Sequence, residues 1–244
     1  MLKNSYITKS YDVMESNRMI RDQALPGFPY ISYKGAQCLE MAYSFKVLLR
    51  DNVIEALYRD DRRRAKSQVD MSNKTLRDVV SKGFLQTHSM GHEYGNLYAM
   101  DELGFDYLGV KPYPTDFGRR ELIKFYGVNR VFSTLCYKYR KDYTLEWSTD
   151  CGIGDAAAIV WEDSTRRKAL KSYVIEFVKT NFRQDRALEI EEIQKRYAGK
   201  EVEGLPTKPS VIAATIDRED FELLVVEDGK ECVSRQEIDK WAAS

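Results

Sequence analysis

The spacing of apolar residues between positions 35 and 197 constrains the fold of this chain more than any other feature. From 35 to 68 the apolar residues recur at intervals of three and four: Leu39, Ala42, Phe45, Leu48, Leu49, Val53, Ile54 and Leu57. Such spacing places apolar side chains on one face of a helix. The pattern predicts one long helix, or two in series, over 35–68. It predicts further helices over 115–126, 128–141, 164–181 and 184–197.

Capping and breaking residues supply the remaining elements of this part of the chain. Ser10 and Ser72 are typical N-caps and predict helices over 11–24 and 72–80, with Gly83 ending the second. The stretch 84–103 is predicted to be a helix interrupted by two glycines, and 104–114 a loop. A short strand is predicted over 143–147, and the glycines at 152 and 154 are predicted to open another helix.

The last 45 or so residues have a different pattern. Two glycines and two prolines among charged residues predict a linker over 199–209. Apolar runs over 211–216 and 221–226 predict two strands, Asp228-Gly229 predicts a hairpin turn, and Ser234 predicts the start of a last helix. The predicted fold class is therefore α+β: a predominantly α-helical body over 1–198 with a small C-terminal β-hairpin/α element over 210–244.

Charge divides the chain at the same place. Residues 199–244 hold 6 Lys/Arg and 11 Asp/Glu, a net charge of −5, although the whole chain is neutral. The remainder carries +5, so the sequence predicts a basic body and an acidic appendage, with ordinary solvated surfaces as the alternative.

Composition and cysteine usage indicate the compartment. The first residues contain no apolar stretch typical of a secretion signal, and no apolar run approaches the ~20 residues of a membrane-spanning helix. The cysteines are scattered and form no C-x-x-C pair: Cys38, Cys136, Cys151 and Cys232. We therefore predict a cytoplasmic protein with free thiols and no membrane partner.

A basic segment at 118–141 is the first candidate site. Two predicted helices separated by Gly127 resemble the helix-turn-helix motif of DNA-binding proteins. This resemblance implies that the second helix presents Arg130, Ser133 and Thr134 to base edges. Three basic residues of the second helix are then expected near phosphates: Lys138, Arg140 and Lys141. Arg119, Arg120 and Lys124 add to the local positive charge that attracts polyanions. Two packed helices with basic residues on their solvated face are the alternative.

The two histidines form a second candidate. His88 and His92 are four residues apart, which would place them on one face of a helix, and Glu93 follows directly. This arrangement suits Zn²⁺ and predicts a metal-dependent hydrolase, although a metalloprotease helix carries its glutamate directly after the first histidine, where this chain has Ser89. A hydrogen-bonded histidine pair is the alternative.

Aromatic content supports a third interpretation. Sixteen tyrosines, ten phenylalanines and three tryptophans are typical of proteins with extensive interfaces, although aromatic residues also fill cores. No nucleotide-binding or nucleophile-elbow motif is found. The sequence therefore favours a non-enzymatic protein that acts through protein–protein contacts or self-association, such as an oligomeric scaffold, a complex or virion component, or an inhibitor, with no cofactor. DNA binding through 118–141 and zinc-dependent hydrolysis are the alternatives.

Overall fold

Helices and strands are interspersed along the described chain. The structure is a computed structural model and describes residues 1–8, 25–59, 65–91, 95–139, 142–178, 183–197, 199–217 and 220–226. In chain order its elements are β1 (Tyr6–Ile7), α1 (Tyr33–Phe45), β2 (Val47–Leu49), α2 (Arg50–Val53), a π-helical turn (Ile54–Tyr58), α3 (Ala65–Ser81), β3 (Leu85–Ser89), β4 (Asn96–Met100), α4 (Glu102–Leu108), α5 (Arg119–Tyr139), β5 (Thr144–Ser148), β6 (Ala156–Trp161), β7 (Ala169–Phe177), α6 (Arg183–Tyr197), β8 (Pro209–Asp217) and β9 (Asp220–Val226).

These elements belong to two compact units. The first, which we call the inserted unit, is Lys9–Asn129. The second, the sheet unit, combines Met1–Thr8 with Arg130–Ser244. Helix α5 passes from one to the other between residues 129 and 130. The prediction that 210–244 forms an appendage beyond a linker at 199–209 stays a prediction.

The first described element of the inserted unit is α1, which is shorter than the predicted helix over 35–68. Ser32 caps it, because its Oγ accepts a hydrogen bond from the backbone N–H of Gly35 at 3.1 Å. The helix ends at Lys46, which adopts a φ of 62° and turns the chain into β2. Val47, Leu48 and Leu49 are all buried there. The prediction of one long helix, or two in series, over 35–68 is therefore wrong at residues 47–49, because the chain forms a buried, paired strand there.

Two antiparallel strands replace the interrupted helix predicted over 84–103. Strand β4 lies between β2 and β3 in a sheet of order β2-β4-β3. The glycines that were expected to weaken a helix instead end the two strands: Gly91 and Gly95 have φ values of 87° and 69°. The backbone N–H of Met90 donates to the carbonyl of Gly95 at 3.1 Å and closes the connection. The loop predicted over 104–114 also differs, since α4 covers its first residues.

Helix α5 runs without interruption through Gly127. The predicted turn at 127–129, and with it the helix-turn-helix geometry of 118–141, is therefore wrong. A glycine inside a helix costs only about 1 kcal/mol relative to alanine. Tertiary packing outweighs that cost, because Val128 and Asn129 are buried in the inserted unit and Val131 and Phe132 in the sheet unit.

The sheet unit has the strand order β1-β5-β6-β7-β8-β9. Strand β5 confirms the prediction over 143–147. Two predicted helices are wrong. The Ala156–Ala158 run belongs to β6, in which every residue is buried, and 164–181 contains β7 instead. Strand β7 pairs with β6 on one side and β8 on the other, so its central residues, including Val174 and Ile175, are buried on both faces. β-branched residues suit such a position.

A buried carboxylate joins β1 to this sheet. Glu146 of β5 is fully buried, and its Oε1 accepts hydrogen bonds from the backbone N–H of Leu2 at 2.7 Å and from Ser5 Oγ at 2.8 Å. Its Oε2 accepts from Trp161 Nε1 at 2.9 Å. A buried charge is costly unless it is hydrogen-bonded. These three donors satisfy both oxygens and hold residues 2–5 against β5.

The end of the described chain follows the sequence closely. Helix α6 confirms the prediction over 184–197, and β8 and β9 confirm the strands over 211–216 and 221–226. The hairpin turn at 228–229, the last helix and the helix over 11–24 lie outside the described residues. The predicted fold class is nevertheless wrong. The body is not predominantly helical, since β2 to β7 all lie within residues 1–198 and build parts of two sheets.

Candidate nucleic-acid interface

Helix α3 of the inserted unit has one buried and one exposed face. Ser72, Leu76 and Val79 are fully buried, and Val79 packs beside Gly35 of α1, where an added Cβ would lie 3.2 Å from Val79 Cγ2. The opposite face is solvent-exposed and mainly basic or polar: Lys66, Ser67, Asp70, Lys74 and Arg77. The helix is therefore anchored along one side and exposes the other side to solvent.

The charge of this part of the chain is positive. Residues 62–82 contain seven Lys/Arg and two Asp, a surplus of five positive charges within a neutral protein, and three of these basic residues, at 62–64, lie outside the described residues. One of the two acidic residues is already paired, since Asp78 Oδ1 lies 2.7 Å from Lys82 Nζ on the adjoining turn. Such a local surplus attracts polyanions.

The hairpin formed by β3 and β4 follows α3 directly. Its pairing brings Thr87 opposite Tyr98 and Ser89 opposite Asn96. These four side chains share one face of the sheet, because side chains alternate between faces along a strand. They are exposed or half-buried. The polar end of the hairpin is therefore available to solvent beside the exposed face of α3.

The other face of the same sheet holds the hairpin in place. Val47, Leu49 and Leu97 are buried there and pack against Leu122 of α5. The rings of Phe117 and Phe125, 5.1 Å apart, cover the same cluster. Burial of this kind stabilises by about 25 cal/mol per Å² of apolar surface. The hairpin is thus held by this apolar cluster, while Thr87, Ser89 and Asn96 on its other face are exposed.

Two asparagines fix the junction between β2 and α2. Asn52 Oδ1 accepts from the backbone N–H of Leu49 at 2.9 Å, and Asn52 Nδ2 donates to the carbonyl of Asn129 at 2.7 Å. Asn129 Nδ2 donates in turn to the carbonyls of Phe45 and Val47, at 3.2 and 2.6 Å. Both asparagines are fully buried, so the position of Arg50 at the start of α2 is well determined.

Helix α5 presents only some of the basic residues that the sequence singled out. Arg119 and Arg120 are exposed, while Lys124, Arg130 and Lys138 are half-buried. Ser133 is buried, and Thr134 Oγ1 donates to the carbonyl of Arg130 at 3.2 Å. Arg119, Arg120 and Lys124 belong to the inserted unit, whereas Arg130 and Lys138 belong to the sheet unit. Arg140 and Lys141 lie outside the described residues.

The predicted metal ligands do not share a helical face. His88 lies in strand β3, where its ring centroid is 6.2 Å from that of Phe117, and its Nε2 is buried without a hydrogen-bond partner among the described residues. His92 and Glu93 lie outside the described residues. Within the described ranges, no three His, Cys, Asp or Glu side chains come together in a way that could hold a metal ion. Zinc-dependent hydrolysis stays a prediction.

Aromatic residues of the loop region pack inside the inserted unit. Tyr107 contacts Phe84, and Tyr113 contacts Phe105, with ring centroids 5.4 and 4.9 Å apart. Lys46 Nζ lies 3.7 Å from the centre of the Tyr113 ring, a cation–π contact. These rings therefore have partners within the fold, and assembly through protein–protein contacts stays a prediction.

Two carboxylates near β6 and β7, those of Asp155 and Glu176, accept hydrogen bonds from within the sheet unit. Asp155 Oδ2 accepts from the backbone N–H of Phe177 at 2.8 Å. Glu176 Oε1 accepts from Tyr197 Oη at 2.8 Å and from Arg196 Nη1 at 3.2 Å. Both carboxylates thus connect strands to each other or to α6, which gives them a structural role in the sheet unit.

Sequence reasoning missed the polar residues of α3 and the hairpin. A signal was present, since Leu85 to Ser89 and Asn96 to Met100 flank a glycine-containing turn, as hairpin strands do. The helical interpretation of 84–103 concealed it.

Among the helices of the described residues, none combines the length and apolar character needed to cross a lipid bilayer. The chain matches no protein-family model, no curated protein and no solved structure.

Proposed function

We propose that the inserted unit binds double-stranded DNA, with α3 in the major groove and the β3–β4 hairpin against the adjoining backbone. The observation that carries the proposal is the position of α3. It follows the helical segment 50–58, precedes the hairpin, and exposes its basic face. Two helices followed by a hairpin, on a sheet of order β2-β4-β3, resemble the winged form of the helix-turn-helix.

The dimensions and chemistry of α3 suit this role. An α-helix with its side chains is about 10–12 Å across, and the major groove is about 12 Å wide. Lys66, Lys74 and Arg77 can reach phosphates, while Ser67 and Asp70 have the hydrogen-bonding groups that contact base edges. The DNA-contacting surface proposed here is thus α3, and not the basic residues of α5.

A salt titration of DNA binding tests the proposal. We expect the protein to bind a fluorescently labelled duplex at low salt and to release it steeply as salt rises. The double substitution of Lys74→Ala with Arg77→Ala should weaken binding about tenfold or more and reduce the log–log salt slope by about 1.8, or ~0.9 for each lost phosphate contact.

Two matched double variants locate the surface. Lys168→Ala with Lys195→Ala removes two exposed charges from the sheet unit and should leave binding unchanged. Arg119→Ala with Arg120→Ala tests the start of α5. Absence of binding by the wild-type protein at low salt contradicts the proposal, and so does a loss in the α5 variant that the α3 variant does not show.

A further inference from the structure

A polar cavity of about 650 Å³ opens within the inserted unit between α2, α3 and the hairpin. Its polar lining residues include Arg50, Asp51, Asn73, Ser89, Asn96 and Tyr98. The volume lies within the range of ordinary ligand pockets, about 300–1,000 Å³. These side chains come from a helix start, a helix face and two strand ends, so the fold brings them together from distant parts of the sequence.

The cavity is rich in hydrogen-bond donors. Arg50 carries five N–H donors, and its Nε lies 3.7 Å from Oδ1 of the Asp51 carboxylate. Its side chain is 49% exposed, so the guanidinium is within reach of a solute. Asn73, Ser89 and Asn96 add amide and hydroxyl donors at the wall. Asp51 contributes the only negative charge among these six residues.

Tyr98 lies on the polar face of the sheet, next to Asn96. Burial raises the pKa of its hydroxyl, while the Asn96 side chain and the positive charges of Arg50 and Arg77 act in the opposite direction. The phenol is therefore protonated at neutral pH and can donate a hydrogen bond. The positive charges of Arg50 and Arg77 thus both act on this hydroxyl, and such a positive environment favours a bound anion.

We propose that this cavity holds a phosphate group of the bound DNA backbone, with Arg50 and Tyr98 as its principal donors. The inference rests on the proposed function. It extends that function by assigning a phosphate contact to residues outside α3. The cavity lies beside the exposed face of α3 and at the polar end of the hairpin, where the backbone of a duplex held by α3 would pass.

Arginine suits this position better than lysine would. Its planar fork matches two phosphate oxygens at once, whereas an ammonium group acts as a point charge. The Asp51 carboxylate, 3.7 Å from Arg50 Nε, offsets part of the positive charge and repels a second anionic group. One phosphate of a backbone fits this balance better than the clustered charges of a polyphosphate.

The experiment measures the salt dependence of DNA binding for single variants. Arg50→Gln should bind duplex DNA about tenfold more weakly, with a log–log salt slope smaller by about 0.9. Arg50→Lys should be intermediate, and Tyr98→Phe should weaken binding less and leave the slope unchanged. Lys111→Gln removes an exposed charge from the same unit outside the cavity and is the matched control. Thermal unfolding of each variant establishes that it is folded.

The outcomes separate the two proposals. Wild-type binding with an unchanged slope in Arg50→Gln, or an equal change in Lys111→Gln, overturns the cavity assignment and leaves DNA binding by α3 intact. Absence of any wild-type binding overturns both. Inorganic phosphate is the second probe. If it stabilises the wild-type protein against heat, Arg50→Gln abolishes this effect, and DNA binding is unaffected by the substitution, the cavity belongs to a small free anion and the backbone assignment is wrong.

Discussion

The carboxylate of Glu146 accepts the indole N–H of Trp161 at 2.9 Å across the β5–β6 pair, in a part of the sheet unit where Glu146 is completely buried. Its second oxygen binds the backbone N–H of Leu2 and the hydroxyl of Ser5. One side chain thus connects two interior strands with residues that precede β1. We expect the stability of the sheet unit to depend strongly on it.

Replacement of Glu146 by glutamine tests this dependence. The amide keeps one acceptor oxygen but turns an N–H₂ group towards one set of buried donors. We expect the free energy of unfolding in urea to fall by about 1–3 kcal/mol, the cost of a buried donor without an acceptor. Glu162→Gln is the control, because Glu162 is half-exposed and its pair with Lys168 lies on the surface. Equal effects of the two substitutions would show that the buried network contributes nothing.

Gly104 provides a steric test in the inserted unit. A Cβ at this position would clash with the backbone carbonyl of Phe84 and would lie 3.0 Å from Met100 Cε. Because a backbone atom cannot move aside as a side chain can, we expect Gly104→Ala to destabilise by about 1–3 kcal/mol. Gly118→Ala, whose new methyl group would meet only the Glu121 carboxylate at 3.5 Å, should change stability much less. A Gly104→Ala protein as stable as wild type would contradict this packing.

The burial of Cys38 leads to a prediction about the alkylation of its thiol. Burial raises the pKa of its thiol to about 12, against a smaller opposing effect of the Lys34 charge. The thiolate is the reactive form, so iodoacetamide should modify Cys38 in urea but not in the native protein at pH 8. Mass spectrometry of the Cys38 peptide measures both rates. Equal rates in the two states would place Cys38 outside the core.

The same shift has a consequence for stability. Above the unfolded value of 9.0, the unfolded chain releases the Cys38 proton while the native protein retains it up to about pH 12. Proton release from the unfolded state favours unfolding, so this group lowers stability as pH rises through that interval. Cys38→Ser should lack this contribution, which urea titrations at pH 8 and pH 10 can measure.

Sequence patterns predicted α6, β5, β8 and β9 because local preference and tertiary position agree there. Helix α6 has polar residues around most of its circumference, and β8 is a run of small and β-branched residues. Strand β7 shows the opposite case. Leu170, Val174 and Phe177 recur at helical intervals, but the strand lies between two others and is buried on both faces. A strand buried on both faces need not alternate apolar and polar residues, so the spacing of its apolar residues can match a helix by chance.

The candidate site could not be predicted from the sequence for a related reason. The sequence pattern places Arg50 inside a predicted helix over 35–68. In the structure the helix ends before Lys46, which has a positive φ, and strand β2 precedes Arg50. Tyr98 belongs to β4, which pairs with β3. Only this pairing shows that the polar side chains of both strands lie on one face of the sheet. A cavity that depends on such a register cannot be recognised from local preference.

The discontinuity of the sheet unit has a consequence for synthesis on the ribosome. Tyr6 pairs with Trp147, so β1 emerges about 140 residues before its partner strand. At about 5–20 residues per second, the nascent β1 waits on the order of ten seconds without a neighbour. The inserted unit is complete in the meantime. We therefore expect co-translational folding to begin there, and the first residues of the chain to be incorporated late, when β5 and Glu146 leave the exit tunnel.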